Sequence, residues 1–325
     1  MIKLEQLINK SVSQALITER AVLRYAKELE KVYSKCVDAM NTSILAFFGK
    51  YADSEGKINL STAKRKLNDK ELKEFKKKLD IWIYADISEA FRTKLNRYDD
   101  RLSVSRLEAL QLELEYDMEE YHLYQAEYLP VALEGAVLYS YYNTYYMLCR
   151  GVKGGVVFVP LDDETLGKIL KTKRFDVGLW ERLHSNKANF AYNLGIKLPS
   201  ALSRGFSGEK SSEEVKKTAK TYNFKSISLA RTYVNSAMND ANIEAYRNSL
   251  ITHYRYVAIL DNRTSEICRE LDGNIFKISE AEQGVNLPPM HNNCRSSVCP
   301  IIKDEDSFRR KTEKATTDAL AISYI

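Results

Sequence analysis

The sequence has few of the residues that interrupt helices: 6 prolines and 13 glycines among 325 residues. With so few turn-forming residues, and with 44% of its residues hydrophobic, the chain is neither collagen-like nor disordered. The composition predicts instead a globular protein dominated by long helices, and the chain is long enough to bury a substantial core.

Long apolar runs are also missing. The most apolar stretch, residues 135–159, contains Arg150 and Lys153. It falls short of the roughly 18 consecutive apolar residues that a membrane-spanning helix needs. The segment that begins at Met1 lacks the apolar region of a secretory signal. We therefore predict neither a membrane span nor a signal peptide.

Cysteine is scarce, and its number is odd. Five cysteines do not make a disulfide framework, which favours free thiols or a metal site in a reducing compartment. Three of the five cysteines, one of the four histidines and three of the six prolines lie within Val257–Ile302. This segment is therefore where we look first for a site.

The excess of positive charge is small. A net charge of +5 is weak evidence for nucleic acid by itself. The most basic stretch, residues 64–78, includes a predicted helix that Asn68 and Glu71 open as a capping box. Its basic side chains form either a solvated helix face or a surface that contacts phosphates.

The second interpretation predicts DNA binding without sequence preference, because a single aromatic residue, Phe75, is not the repeated interleaving of aromatic and basic residues that base stacking needs. The residues it names are Lys64, Arg65, Lys66, Lys73, Lys76, Lys77 and Lys78. Residues 108–127 carry the opposite charge on another predicted helix. We therefore expect the basic and acidic helices to lie side by side in a bundle.

These patterns predict a mainly α fold with four parts. The parts are a helical N-terminal region (1–150), a helical middle domain (151–252), a small α+β Cys/His module (253–302) and a charged C-terminal tail (303–325). The glycine-containing stretch after Arg150 marks the first boundary. A long helix over about 226–248 carries three asparagines within eight residues, and asparagine is a poor helix former. We expect Asn235, Asn239 and Asn242 to bond the module that follows.

The module is predicted to contain two strands, 254–260 and 274–278, around a short helix that Thr264 caps. The helix carries Cys268, and the later loop carries His291, Cys294 and Cys299. Zinc binds four nitrogen or sulfur donors in a tetrahedron, so these four residues form a candidate zinc site that staples the module. The alternative is a module held by hydrogen bonds, with buried free thiols and with Arg263 paired to a carboxylate such as Asp272.

Two motifs in this segment resemble the signature of the phage minor head proteins, the Mu F-like head morphogenesis proteins of tailed bacteriophages. The first is D-N-R-T-x3-C-x2-L-D-G-x2-F, and the second is P-x-H-x2-C-R. The family often has C-R-C, whereas here Ser296 follows Arg295. The motif positions outside the cysteines and histidine, which we interpret as structural, are Asp261, Arg263, Thr264, Asp272, Gly273 and Arg295.

The resemblance implies a low-copy protein without enzymatic activity, located inside the capsid near the portal and in the host cytoplasm during assembly. Its implied partners are the portal protein, double-stranded DNA, and a scaffolding or major capsid protein. The alternative is a metal-dependent nuclease, because H-N-N beside a Cys/His cluster is similar to HNH sites. A DNA-binding regulator is the third hypothesis, although the sequence has no clear recognition helix.

Overall fold

The structure is a computed structural model that describes residues 4–151 and 158–302. The predicted C-terminal tail, 303–325, and most of the glycine-containing boundary lie outside the described residues. Within them, the helices are α1 (Leu4–Tyr51), α2 (Leu60–Ala63), α3 (Asp69–Ile83), α4 (Glu89–Asp99), α5 (Arg106–Asp117), α6 (Glu119–Gly151), α7 (Asp163–Lys171), α8 (Leu179–Ser203), α9 (Gly208–Asn248) and α10 (Glu266–Leu271). The predicted mainly α fold with a small C-terminal α+β module is confirmed.

The three strands are β1 (His253–Val257), β2 (Ile275–Lys277) and β3 (Ser297–Ile301). They form one antiparallel sheet in the order β2-β1-β3. The sequence predicted β1 and β2 with slightly longer bounds but did not predict β3. Proline is unfavourable inside a sheet, and β3 tolerates Pro300 because it is an edge strand.

The helices begin where the sequence supplies caps. Asn68 accepts a hydrogen bond from the backbone of Glu71, whose side chain accepts one from the backbone of Asn68, which confirms the capping box of α3. Helix α3 then buries Phe75, Leu79 and Trp82 at helical spacing. This spacing explains why a segment so rich in lysine folds against its neighbours.

The basic and acidic helices do lie side by side, as predicted. Lys78 of α3 donates to Glu113 of α5 over 2.7 Å. Beneath this ion pair, Leu79 and Leu112 belong to the same apolar cluster. The opposite charges therefore meet across a buried seam.

The described residues fall into two compact units. The first takes the segment up to Tyr25, Leu129–Leu179 and the chain from Ser228 onward; the second takes Ala26–Tyr128 and Trp180–Ile227. The predicted boundaries near residues 150, 252 and 302 stay predictions.

The core of the first unit lies between the sheet and the C-terminal end of α9. Tyr246 of α9 packs in one apolar cluster with Tyr254 of β1 and Val298 of β3. Leu250 has φ of +59°, a left-handed conformation that ends the helix and turns the chain into β1. The sheet is thus held directly against the helix that carries the three asparagines.

Membrane-spanning helices are not found in the described part of the chain: no helix there combines enough length with enough apolar character.

Candidate metal centre

The centre begins at the turn before α10. The Ser265 side chain accepts a hydrogen bond from the backbone N–H of Cys268 at 3.4 Å, so Ser265 is the N-cap of the helix. The prediction that Thr264 caps α10 was wrong, because the Thr264 hydroxyl donates instead to the carbonyl of Ile259. The cap presents the buried Cys268 thiol in the first turn of the helix.

The other side of the centre is a tight turn from His291 to Cys294. The backbone N–H of Cys294 donates to the His291 carbonyl at 3.2 Å, and Asn293 has φ of +61°. Asn293 also fixes this turn to α9, since its backbone N–H donates to Thr232 and its side chain donates to Ser228. Two separate elements therefore converge on one point.

Three potential ligand atoms meet there: the sulfurs of Cys268 and Cys294 and a ring nitrogen of His291. They all lie within 4.8 Å of one another. The two sulfurs are 3.8 Å apart, and the Cys268 sulfur is 3.4 Å from His291 Nε2. Tetrahedral zinc, with bonds of about 2.3 Å to sulfur and about 2.0–2.1 Å to nitrogen, separates such atoms by about 3.8 Å and about 3.5 Å. The cluster could therefore hold a metal ion without rearrangement of these contacts.

The histidine ring is oriented for ligation. His291 Nδ1 lies 2.8 Å from the Asn292 carbonyl oxygen, which can only accept a hydrogen bond, so Nδ1 carries the proton. Nε2 then offers its lone pair towards Cys268, and in the ion-free arrangement it accepts from the Ser265 hydroxyl at 2.8 Å. A carbonyl that fixes the ring of a ligating histidine is typical of protein metal sites.

The electrostatics favour a thiolate. The hydrogen bond from Cys294 is the largest influence that lowers the pKa of the Cys268 thiol, and the Tyr256 hydroxyl contributes in the same direction, while burial opposes both. The pKa of Cys294 is raised, because it holds the proton that it shares with Cys268. The first proton of the pair is therefore lost more easily than that of an isolated thiol, which favours binding of a divalent cation.

Cys299, the fourth predicted ligand, lies outside this cluster. It is buried beside Val257, and partly buried Ile8 and Val12 pack against the two residues. Successive side chains of a strand point to opposite faces, so Val298 packs with Tyr254 while Cys299 points to the other face. The sequence spacing did not reveal this, because β3 itself was not predicted.

Residues from both motifs build the turn that precedes α10. Arg295 donates to the Asp261 carboxylate at 2.6 Å, and the backbone N–H of Arg263 donates to the same oxygen at 2.8 Å. The Arg295 hydrogen bond is the largest influence that holds the pKa of Asp261 well below its usual range. This pairing ties the turn before Cys268 to the residue after Cys294.

Asp272 and Gly273 return the chain to the sheet. The Asp272 carboxylate accepts from the backbone N–H of Ala258 at 2.8 Å, and Gly273 donates to the Tyr256 carbonyl with φ of +83°. The alternative to a zinc site expected Arg263 to pair with a carboxylate such as Asp272. Arg263 does lie beside a carboxylate, but that carboxylate is Asp261, at 3.6 Å.

Two of the three asparagines on α9 bond the module as predicted. The Asn235 and Asn239 side chains donate to the Ser296 carbonyl at 3.0 and 3.3 Å. Asn242 does not: it accepts from Thr144 of α6 and Gln14 of α1. The two hydrogen bonds to Ser296 fix the backbone that follows Cys294 on the buried side of α9.

The predicted DNA-binding residues lie on α3 and the turn before it, far in sequence from Cys268, His291 and Cys294. Five of them are exposed and, among the described contacts, form no ion pair within 4.0 Å: Lys64, Arg65, Lys66, Lys73 and Lys77. The other two, Lys76 and Lys78, are engaged by the Asp99 carbonyl and by Glu113 respectively.

Sequence reasoning missed the hydroxyl groups around the cluster. Tyr256 donates to the Cys268 sulfur at 3.2 Å, and Ser265 and Ser296 are further hydrogen-bond partners of the same thiol. Ser265 could have been found, since a serine three residues before Cys268 has N-cap spacing. Tyr256 and Ser296 required the sheet register.

Together these features define a small α+β module with a Cys-His-Cys cluster, docked on the end of a long helix. The family model described as Phage Mu protein F like protein matches residues 193–299, which include all three cluster residues. The match covers about a third of the chain and confirms the predicted resemblance to the phage minor head protein family, which supports a phage head-related protein. No curated protein and no solved structure matches the chain.

Proposed function

We propose that this chain is a minor capsid protein of a tailed bacteriophage, located inside the head near the portal. There it contacts DNA without sequence preference and assists head assembly or genome delivery. The observation that carries the proposal is the family match over residues 193–299, which spans the motif turn and the cluster. Its partners in this proposal are the portal protein, double-stranded DNA and a scaffolding or major capsid protein.

The portal contact can be tested by co-purification and by genetics. Immobilised portal protein should retain the chain, and phage particles assembled without it should form heads of reduced infectivity. Unchanged infectivity together with no retention by the portal protein would refute the assembly and delivery role.

The proposed DNA contact is supported by the exposed cations before and along α3. Lys64, Arg65 and Lys66 occupy consecutive positions at the turn, and Lys73 and Lys77 follow one helical turn apart. Each phosphate neutralised by a cation contributes about −0.9 to the slope of log affinity against log salt. Binding by this face should therefore be strongly salt-dependent and nearly independent of DNA sequence.

A charge-removal experiment tests this contact. Glutamine at all five exposed positions should weaken binding to duplex DNA and reduce the salt slope by up to about 4–5. The matched control is the double variant Lys76→Gln and Lys78→Gln, which removes two lysines already engaged within the protein. An equal loss of binding in both variants would contradict the proposed face.

We further propose that the Cys268, His291 and Cys294 cluster binds a structural zinc ion. Two thiols and an imidazole are ligands that zinc prefers, and their separations match a tetrahedral ion. The module has only three short strands and a six-residue helix, so metal binding would supply ordering energy that its small apolar core does not.

Metal analysis of the purified chain tests the zinc. We expect about one zinc per chain, lost in the Cys294→Ser variant and in the presence of a strong chelator. Cys149→Ser is the control, because Cys149 is exposed and not part of the cluster, and it should retain the metal. A native chain that contains no zinc and takes none up would remove this part of the proposal.

A structural role for the cluster is favoured over nuclease activity by the contacts of His291. A general base needs a ring nitrogen directed at the attacking water. Here Nδ1 is bonded to the Asn292 carbonyl and Nε2 lies among Cys268 and Ser265. Supercoiled DNA incubated with Mg²⁺ or Mn²⁺ should stay intact; nicking that is lost in His291→Ala would support the nuclease instead.

A further inference from the structure

We propose that the metal site has only three protein ligands and that its fourth position is an exchangeable solvent oxygen at Ser296, not the thiolate of Cys299. This inference rests on the proposed metal site and specifies its coordination. It follows from which side chains the sheet and α9 direct towards the cluster.

Cys299 is excluded by the register of the sheet. It pairs with Arg255 of β1, whereas Tyr256, the residue that contacts the cluster, pairs with Val298. Side chains one residue apart along a strand lie on opposite faces. To reach the metal, Cys299 would have to shift β3 by one residue, which would remove Val298 from the apolar cluster that it forms with Tyr246 and Tyr254.

Ser296 lies two residues before Val298, so strand alternation directs it to the face that carries Tyr256, the residue that contacts the cluster. Ser296 is buried, and its hydroxyl helps to lower the pKa of the Cys268 thiol. Its carbonyl accepts hydrogen bonds from Asn235 and Asn239, which fix the backbone from which this side chain projects.

A neutral serine hydroxyl is a weaker ligand for a soft divalent ion than thiolate or imidazole. Metal sites with three protein ligands usually complete the tetrahedron with water. His291 is only partly buried, so solvent reaches the cluster at this ligand. Ser296 is thus placed to hold that water by a hydrogen bond, while the buried thiols of Cys268 and Cys294 hold the ion itself.

Cobalt substitution of the full chain tests the assignment. The absorbance from sulfur-to-Co²⁺ charge transfer grows with the number of bound thiolates. The native chain and Cys299→Ser should give equal spectra from two thiolates, and Ser296→Cys should raise the band by about half, in the ratio of three thiolates to two. Ser296→Cys should also tighten zinc binding by roughly tenfold or more, because a thiolate replaces the solvent oxygen.

Exchangeability has its own measurement. Added imidazole should shift the visible Co²⁺ bands of the native chain and leave those of Ser296→Cys unchanged, because the third cysteine closes the open position. A one-third loss of charge-transfer absorbance in Cys299→Ser would overturn the proposal and make Cys299 the fourth ligand. A Ser296→Cys spectrum equal to the native one would also overturn it. A native chain that binds no Co²⁺ or Zn²⁺ would refute the metal site and, with it, this assignment.

Discussion

A buried ion pair in the second unit provides a quantitative test of its packing. Lys187 of α8 lies 2.6–2.7 Å from both carboxylate oxygens of Glu119, at the start of α6. Only 2% of the Glu119 side chain and 21% of the Lys187 side chain are exposed. Lys187 also donates to the Ser88 hydroxyl at 2.8 Å, and the Ser88 backbone donates to Glu119. The network therefore joins the beginning of α4 to α6 and α8.

Each single substitution leaves a charged group without its partner. Lys187→Met keeps the aliphatic stem but leaves a buried carboxylate without its cation, which should cost about 3–5 kcal/mol. Glu119→Gln leaves the ammonium unpaired at a similar cost. The double variant removes both charges and should lie within about 1–2 kcal/mol of the native chain, since a buried pair gains little over neutral residues of similar volume. The coupling energy, which is the sum of the two single costs minus the cost of the double variant, is then on the order of 4–9 kcal/mol.

Tryptophan fluorescence during urea unfolding measures these values. Both tryptophans, Trp82 and Trp180, lie in the second unit, so the signal reports on this unit. The control is Lys217→Met, which breaks an ion pair with Glu214 in which the lysine is 70% exposed, and it should leave the stability of the unit unchanged. Additive single variants, or a cost for Lys187→Met no larger than the control, would refute the reasoning.

Three further predictions concern single side chains. Burial lowers the pKa of His122 to about 3, so the folded state disfavours its protonation and loses stability as the pH falls below the unfolded value of about 6.5. His122→Gln should remove up to about 1.4 kcal/mol per pH unit of that slope in urea unfolding between pH 6.5 and 4.5; identical slopes would contradict it. Gly273→Ala should destabilise the first unit by about 1–2 kcal/mol in thermal unfolding, because Gly273 has a positive φ. The control is Gly135→Ala in α6, where an added Cβ meets open space; it should stabilise the unit by about 0.5–1 kcal/mol. Asn239→Ala removes one of two donors to the Ser296 carbonyl and should cost about 1–3 kcal/mol by the same assay; a change below 0.5 kcal/mol would show that the contact contributes little.

Most of the helical architecture could be predicted from the sequence, because its determinants are local. The capping box of Asn68 and Glu71 and the apolar spacing of α3 depend on residues within two turns of each other. The contact of α3 with α5 was also predictable, since the two helices carry opposite charge. Helix α9 begins at Gly208, well before the predicted start near residue 226, because nothing in that stretch is incompatible with a helix.

The residues of the candidate metal centre could be predicted only in part. Residue type and spacing identified Cys268, His291 and Cys294, which the structure brings together. Cys299 has equally suitable spacing, but its direction depends on pairing with β1, a contact between residues far apart in sequence. The same long-range pairing brings Ser296 to the cluster, so neither position could be assigned before the sheet was known.

The family motif is explained more fully by folding than by catalysis. Asp261 is occupied by Arg295 and the Arg263 backbone, and Asp272 by the Ala258 backbone. Each of these hydrogen bonds closes a turn of the module or joins two of its turns. Together they hold Cys268 of α10 at a fixed distance from the turn that begins at His291. A reaction would require polar groups that remain available to a substrate, whereas these motif side chains are already engaged by the protein. We therefore expect substitutions in the motif to weaken zinc binding at the proposed site and to unfold the module together, a coupling that a catalytic motif would not produce.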